Sequence, residues 1–121
     1  MKNLLIIGAG RSATILITYI LEQAQRHNFL VTVADADIEL ARKKINDHSH
    51  GRAIWLDASK PNDRRDVIAR HDVVVSLLPP QMHLEVALDC ITLGKHMVTA
   101  SYVSKQVFRL GDEARQGLWS L

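Results

Sequence analysis

Asn3-Leu4-Leu5-Ile6-Ile7-Gly8-Ala9-Gly10-Arg11-Ser12-Ala13 is a short apolar run that stops at a glycine turn. Such a run is expected of a strand buried on both faces of a parallel sheet. Past the turn, Ala13, Leu16, Ile17, Ile20 and Ala24 recur at helical spacing, which predicts a helix over 11–26. The turn between them fits G-x-G-x-x-G/A where that spacing has a mechanism, after a buried strand and opening a helix. Gly8 permits the tight turn, and Gly10 lets a backbone approach a pyrophosphate with no Cβ between them. Ala13 is small enough for close packing of helix on strand. The free N–H groups and positive dipole end of the helix, with Arg11 and Ser12 in its first turn, then face phosphate oxygens.

The alternation continues downstream. Residues 30–34 read as a second strand, and Asp37 as the N-cap of a helix carrying Ile38, Ala41 and Ile45 on one side. A third strand is expected over 53–56 and a weaker helix from Pro61 through Ala69. Residues 73–77 form a fourth buried strand that ends at Pro79 and Pro80. The next helix carries Leu84, Ala87, Leu88 and Ile91 on one face and stops at Gly94. A fifth strand over 97–100 and a fifth helix over 104–116 complete the pattern. Strict β-α alternation implies an α/β fold, a doubly wound parallel sheet of Rossmann type with right-handed crossovers and strand order 3-2-1-4-5. The topological switch then falls between strands 1 and 4, so a ligand belongs in the crevice between residues 8–13 and 77–80.

A second feature fits that crevice. Val31-Thr32-Val33-Ala34-Asp35 ends in an acid 22 residues after Ala13, close to the ~20 expected for a carboxylate that binds adenosine ribose hydroxyls. A bare helix cap is the other reading of Asp35, but Asp37 is better placed for it. A carboxylate repels a 2′-phosphate, and the next residue is Ala36 rather than an arginine, so the expected cofactor is NAD, with NADP the lesser expectation. Arg11 and Arg42 are the nearby bases that bear on the choice. Asp57, with Ala58 beside it, is placed to line an adenine pocket or to cap a turn. Leu77, Leu78, Pro79 and Pro80 form a stiff apolar loop where the nicotinamide half would pass; a buried strand followed by a helix-starting proline describes the same residues.

Composition narrows the function classes. The chain has 121 residues, 47% hydrophobic and 23% charged, with a formal net charge of +2. That is the size and make-up of one domain, residues 1–121, with its own core. Acids and bases are interleaved, so no basic face for nucleic acid emerges; Arg42, Lys43 and Lys44 suit a helix C-terminus. No apolar run approaches the ~20 residues that span a bilayer, no membrane partner is expected, and the single Cys90 permits no internal disulfide, so a cytoplasmic protein is expected. His48 and His50 lack the further ligands a zinc site needs, and no metal is expected. His83 is read as an acid-base candidate or a surface or capping histidine, Cys90 as a packed thiol and Trp55 as a packed strand residue.

Taken together, the glycine turn, Leu56-Asp57, the segment from Asp72 through Pro80, His83 and Thr99-Ala100-Ser101-Tyr102-Val103-Ser104 resemble the N-terminal domain of the saccharopine dehydrogenase family. The resemblance covers nearly the whole chain, and the double-proline and Thr-Ala-Ser-Tyr-Val-Ser segments are its specific parts. It implies oxidation of a secondary amine in an amino-acid adduct, with hydride passing from the carbon beside nitrogen to the nicotinamide and water hydrolysing the resulting imine. It also implies Ser101 and Tyr102 at the substrate and Leu78 and Pro79 near the cofactor; no residue is singled out as catalytic. Family members continue past the fifth helix into an acidic, glycine-rich loop, a sixth strand and a second domain, whereas here Gly117-Leu118-Trp119-Ser120-Leu121 follows. The expectation is a cofactor domain that ends before the substrate domain, binds a nicotinamide dinucleotide and by itself turns over no substrate. With no sixth strand, the open edge of the fifth predicts a homo-oligomer. The alternative reading is a nucleotide-sensing module like those that gate potassium transporters; a third is a dinucleotide-fold structural subunit without ligand.

Overall fold

A computed structural model of the chain describes residues 2–10 and 13–99. Its elements run β1 (Asn3–Ile7), α1 (Thr14–His27), β2 (Leu30–Asp35), α2 (Ile38–Ile45), β3 (Gly51–Trp55), α3 (Pro61–Ala69), β4 (Val73–Ser76), α4 (Pro80–Leu93) and β5 (His96–Thr99). The five strands form one parallel sheet in the order β3-β2-β1-β4-β5, with Ile7 beside Ala34 on one side and Ser76 on the other. The order expected from the sequence is the one observed, and β1 sits at the switch point. The expected fifth helix, Ser101, Tyr102 and Trp119 lie outside the described residues.

Strand side chains alternate between two cores, which is why β1 reads as a continuous apolar run. Leu4, Ile6, Val31, Val33, Val73 and Val75 face α1 and α2 and pack against Ile17, Ile20 and Ala41. Leu5, Ile7, Ala34 and Val74 face the other way, against Ile68 of α3 and Val86 and Cys90 of α4. Burial raises the Cys90 thiol to about 11, so it is the packed, inert thiol the sequence suggested. Helix ends follow their local chemistry. The Asp37 side chain accepts the Leu40 N–H at 3.1 Å, Pro61 opens α3, and Gly94 closes α4 at φ 69°.

Three expectations change. β3 begins two residues earlier than predicted, at Gly51, because a β-carbon there would lie 2.8 Å from methyl groups of Ile45 and Leu21; glycine lets the strand start pressed against α1 and α2. Trp55 does not pack: it ends an edge strand and is 56% exposed. The face of α4 carrying Leu84, Leu88 and Ile91 is the outer one, with exposures of 66%, 54% and 76%. Its buried residues are Val86, Asp89 and Cys90. Asp89 is inside because Arg64 and Arg65 of α3 both bond its carboxylate. Burial pushes that carboxyl up, but the two guanidiniums outweigh it and hold it below its ordinary value. Among the described residues no helix is long and apolar enough to cross a membrane.

Candidate functional site

The carboxyl ends of β1, β2, β3 and β4 meet in one cleft of ≈ 210 Å³, lined by Ile7, Gly8, Ala34, Asp35, Ala36, Leu56, Asp57, Ala58, Ser59, Leu78 and Met82. Six of the residues singled out in the sequence are brought together here: Gly8, Asp35, Ala36, Asp57, Ala58 and Leu78. Ser59 and Met82 were missed; the β3–α3 turn and the first turn of α4 deliver them, and no motif marks either.

Gly8 makes the turn out of β1. Its φ is +105°, a left-handed value that side chains rarely adopt, and a β-carbon would sit 3.3 Å from the Leu77 carbonyl carbon and oxygen. Its N–H donates to the Ala34 carbonyl at 2.8 Å, while the Leu77 N–H donates to Ile7 at 2.9 Å. The first turn is thereby anchored to both neighbouring strands. Among the described residues a β-carbon on Gly10 would meet no atom within 4 Å, so their packing does not demand glycine there. Ala13 is buried in the core under α1, as its small size suggested. Helix α1 has no acidic residue in its first turn, so no carboxylate there offsets the positive end of its dipole. Arg11 and Ser12 lie outside the described residues.

Asp35 is the polar centre of the cleft. One carboxylate oxygen, Oδ2, accepts the Ala9 N–H at 2.7 Å, and the other, Oδ1, accepts the Asp37 N–H at 2.8 Å. An ionised carboxylate has about four lone-pair sites, so two backbone donors leave capacity for two more. Arg42 is drawn elsewhere: it pairs with Glu39 at 2.5 Å and lines a separate cleft with Ile45, His48 and Gly51 at the start of β3.

Asp57 makes the turn the sequence offered it and also faces the cleft. It lines the cleft, and its Oδ1 accepts the Ser59 N–H at 3.0 Å and the Ser59 hydroxyl at 2.6 Å, bonds that hold its carboxyl below the ordinary value. Leu77 and Leu78 diverge, Leu77 packing with the α1 side and Leu78 with the α4 side. Pro79 precedes α4 at its N-cap position. His83 is neither a cap nor a bare surface residue: its Nδ1 lies 2.8 Å from the hydroxyl of Ser76, a wholly buried residue at the end of β4. His48 and His50 touch edge to face, 5.9 Å between ring centroids, with the His50 N–H on His48 Nδ1 at 3.1 Å.

The chain that builds this cleft is similar to known proteins. Residues 4–120 match the saccharopine dehydrogenase NADP binding domain. An alpha-aminoadipic semialdehyde synthase of Arabidopsis thaliana is 38% identical over 85 residues, 70% of this chain and 8% of that protein. A saccharopine dehydrogenase [NADP(+), L-glutamate-forming] of Schizosaccharomyces pombe is 29% identical over 114 residues, 94% of this chain and 25% of that protein. In three dimensions, the apo saccharopine dehydrogenase (L-Glu forming) of Saccharomyces cerevisiae superposes with a TM-score of 0.73 and 30% identity, covering 91% of this chain and 24% of that one. The chain thus spans a quarter or less of the length of these relatives. The matching family binds a nicotinamide dinucleotide and its description names NADP, whereas the sequence reading favoured NAD. By the match over 4–120, this chain belongs to the saccharopine dehydrogenase family, as its NADP-binding domain.

Proposed function

We propose that this domain serves an oxidoreductase that acts on the secondary amine of an amino-acid adduct, and that it takes NAD in preference to NADP. A bound nicotinamide supplies the hydride acceptor for oxidation at the carbon beside nitrogen. The residues of the chain bind and orient. The start of α1 receives the pyrophosphate, Gly10 leaves room for it, Asp35 accepts the ribose hydroxyls, and the slot of Leu56, Asp57, Ala58 and Leu78 takes the adenine. Leu77 and Pro79 wall the path toward the nicotinamide. Ser101 and Tyr102 are assigned to the substrate by resemblance to the family. The chain alone is read as binding the dinucleotide without turnover, and robust amine-dependent reduction of NAD by these 121 residues would refute that part.

The Asp35 carboxylate carries the choice of NAD. It lies in the cleft with spare lone pairs for hydroxyl donors, Ala36 follows it, and Arg42 pairs with Glu39 and lines another cleft. A 2′-phosphate brought to this corner meets the Asp35 anion, and the residue after it is Ala36 rather than a base. Titration with NADH and NADPH, followed by calorimetry, tests the reading. The expected result is tighter NADH binding by at least about tenfold, or 1.4 kcal/mol. Equal or tighter NADPH binding overturns the NAD preference, and no heat with either dinucleotide overturns the binding function.

A further inference from the structure

The far side of the cleft is held by a group outside it. Residues 56–59 form the wall between β3 and α3. Its outer contour is set by its own turn, in which the Asp57 carboxylate takes the Ser59 N–H and the Asp57 carbonyl takes the Lys60 N–H at 3.1 Å. Its inner side is fixed by Arg64, which is 3% exposed. The Arg64 Nη1 donates to the Ala58 carbonyl at 2.9 Å and to Glu85 at 3.2 Å, while its Nε donates to Asp89 at 2.5 Å. Arg65 holds the other Asp89 oxygen at 2.9 Å. Together the four groups join α3 to α4. A buried guanidinium satisfied by a carboxylate on α4 and a carbonyl on the cleft wall forms a rigid strut between them.

We propose that Arg64 is a positioning residue for base recognition, setting through the Ala58 carbonyl where Asp57 and Ser59 stand against the adenine of the dinucleotide. The inference rests on reading the cleft as the dinucleotide groove. Phosphate binding is assigned to the opposite side, at residues 8–13, so disturbing the strut alters base preference more than overall attachment. The base contact has a definite polarity. The exocyclic amine of adenine donates to the Asp57 carboxylate, whereas hypoxanthine presents a carbonyl oxygen at the same place and meets repulsion.

The experiment compares NADH with its hypoxanthine analogue by fluorescence titration of the full chain, in the wild type and in Arg64→Lys, Arg64→Met and Arg65→Ala. Wild type is expected to favour the adenine form by about tenfold, a worth of one charge-assisted hydrogen bond. Lysine keeps the charge but lacks the fork that reaches Asp89 and Ala58 together, so Arg64→Lys is expected to retain binding while the preference falls to about threefold or less. Arg64→Met, where it folds, loses the preference. Arg65→Ala leaves the Ala58 bond in place and is expected to keep the wild-type ratio. A purely structural role lowers the melting temperature of Arg64→Lys and leaves the ratio intact, and that result overturns the proposal, as does an equal fall in Arg65→Ala or a wild type that binds both forms alike. A wild type that binds neither overturns the dinucleotide reading itself.

Discussion

The Asp35 carboxylate accepts the Ala9 N–H at 2.7 Å, so the acid at the end of β2 also closes the glycine turn of β1. Its other oxygen is held by the Asp37 N–H at 2.8 Å. Both backbone partners are donors. In Asp35→Asn one of them must face the amide NH₂, and donor opposes donor. The expected cost is about 1–2 kcal/mol of stability, with a loss of NADH affinity of about tenfold or more. Asp35→Ser removes the charge that opposes a 2′-phosphate, yet it is expected to lose affinity for NADH without gaining a strong NADPH site, because the turn loses its tie. Denaturant melts and titrations with both dinucleotides check this; a stable Asp35→Ser variant that binds NADPH tightly would show that the Ala9 bond is dispensable.

Gly8 and Gly10 belong to one motif and separate on mutation. Gly8→Ala puts a β-carbon at φ +105° and 3.3 Å from the Leu77 carbonyl, and is expected to lose about 1–3 kcal/mol of stability. A β-carbon at Gly10 meets nothing within 4 Å among the described residues, so Gly10→Ala is expected to leave stability within about 0.5 kcal/mol or raise it slightly. Its effect falls on the ligand, as a loss of NADH affinity of about tenfold or more where the pyrophosphate must approach. Urea melts paired with titrations give the crossed pattern, and a Gly10→Ala variant with undiminished NADH binding contradicts the assignment of that position.

The fold was legible because each strand announces itself. Residues buried on both faces read as apolar runs, and Gly8, Pro79 and Gly94 punctuate them where the backbone turns. What was not legible depends on partners distant in sequence. Nothing local says that Asp89 lies inside, because its burial is licensed by Arg64, 25 residues away; periodicity therefore chose the wrong face of α4. Gly51 and Arg52 read as loop, yet Gly51 fits against Leu21 and Ile45 and the Arg52 Nε bonds the Thr32 hydroxyl at 3.0 Å, which carries the strand two residues further back. At the site, Gly8 and Asp35 stood out because their chemistry is tied to spacing along one β-α-β unit. Ser59 and Met82 enter from turns whose approach to Asp35 only the folded sheet creates, and the double duty of Asp35 toward Ala9 has no sequence signature.

The tight fit at the start of β3 gives a packing prediction. A β-carbon on Gly51 lies 2.8 Å from Ile45 Cδ1 and from Leu21 Cδ2. Both are ends of flexible side chains, so Gly51→Ala is expected to cost about 1–3 kcal/mol by overpacking rather than to block folding. Ile45→Val removes one of the two methyls, and the double variant is expected to recover part of the loss, giving a coupling of about 0.5 kcal/mol or more between the sites. Strictly additive losses in a double-mutant cycle contradict the contact.

His71 makes stability depend on pH. It is 2% exposed, its Nδ1 lies 2.8 Å from the Val67 carbonyl, and its Nε2 is buried without a hydrogen-bond partner among the described residues. The carbonyl fixes the tautomer with the proton on Nδ1, so a second proton on Nε2 finds no acceptor. Burial lowers the pKa below 6.5, helped by the charges of Arg52 and Arg70 and opposed by the Val67 carbonyl and Asp72. The folded state therefore binds this proton less readily than the unfolded state. Above the unfolded value both states are neutral and the full stability is present. As pH falls below it the unfolded chain takes up a proton that the folded chain refuses, and stability drops by up to ~1.4 kcal/mol per pH unit until the folded value is reached. Urea midpoints between pH 7 and pH 5 measure the slope. His71→Leu removes this one titration, so its midpoint is expected to fall less over the same interval even if it starts lower for want of the Val67 bond. Parallel slopes in the two proteins would mean that His71 is protonated in the folded chain as easily as in the unfolded one.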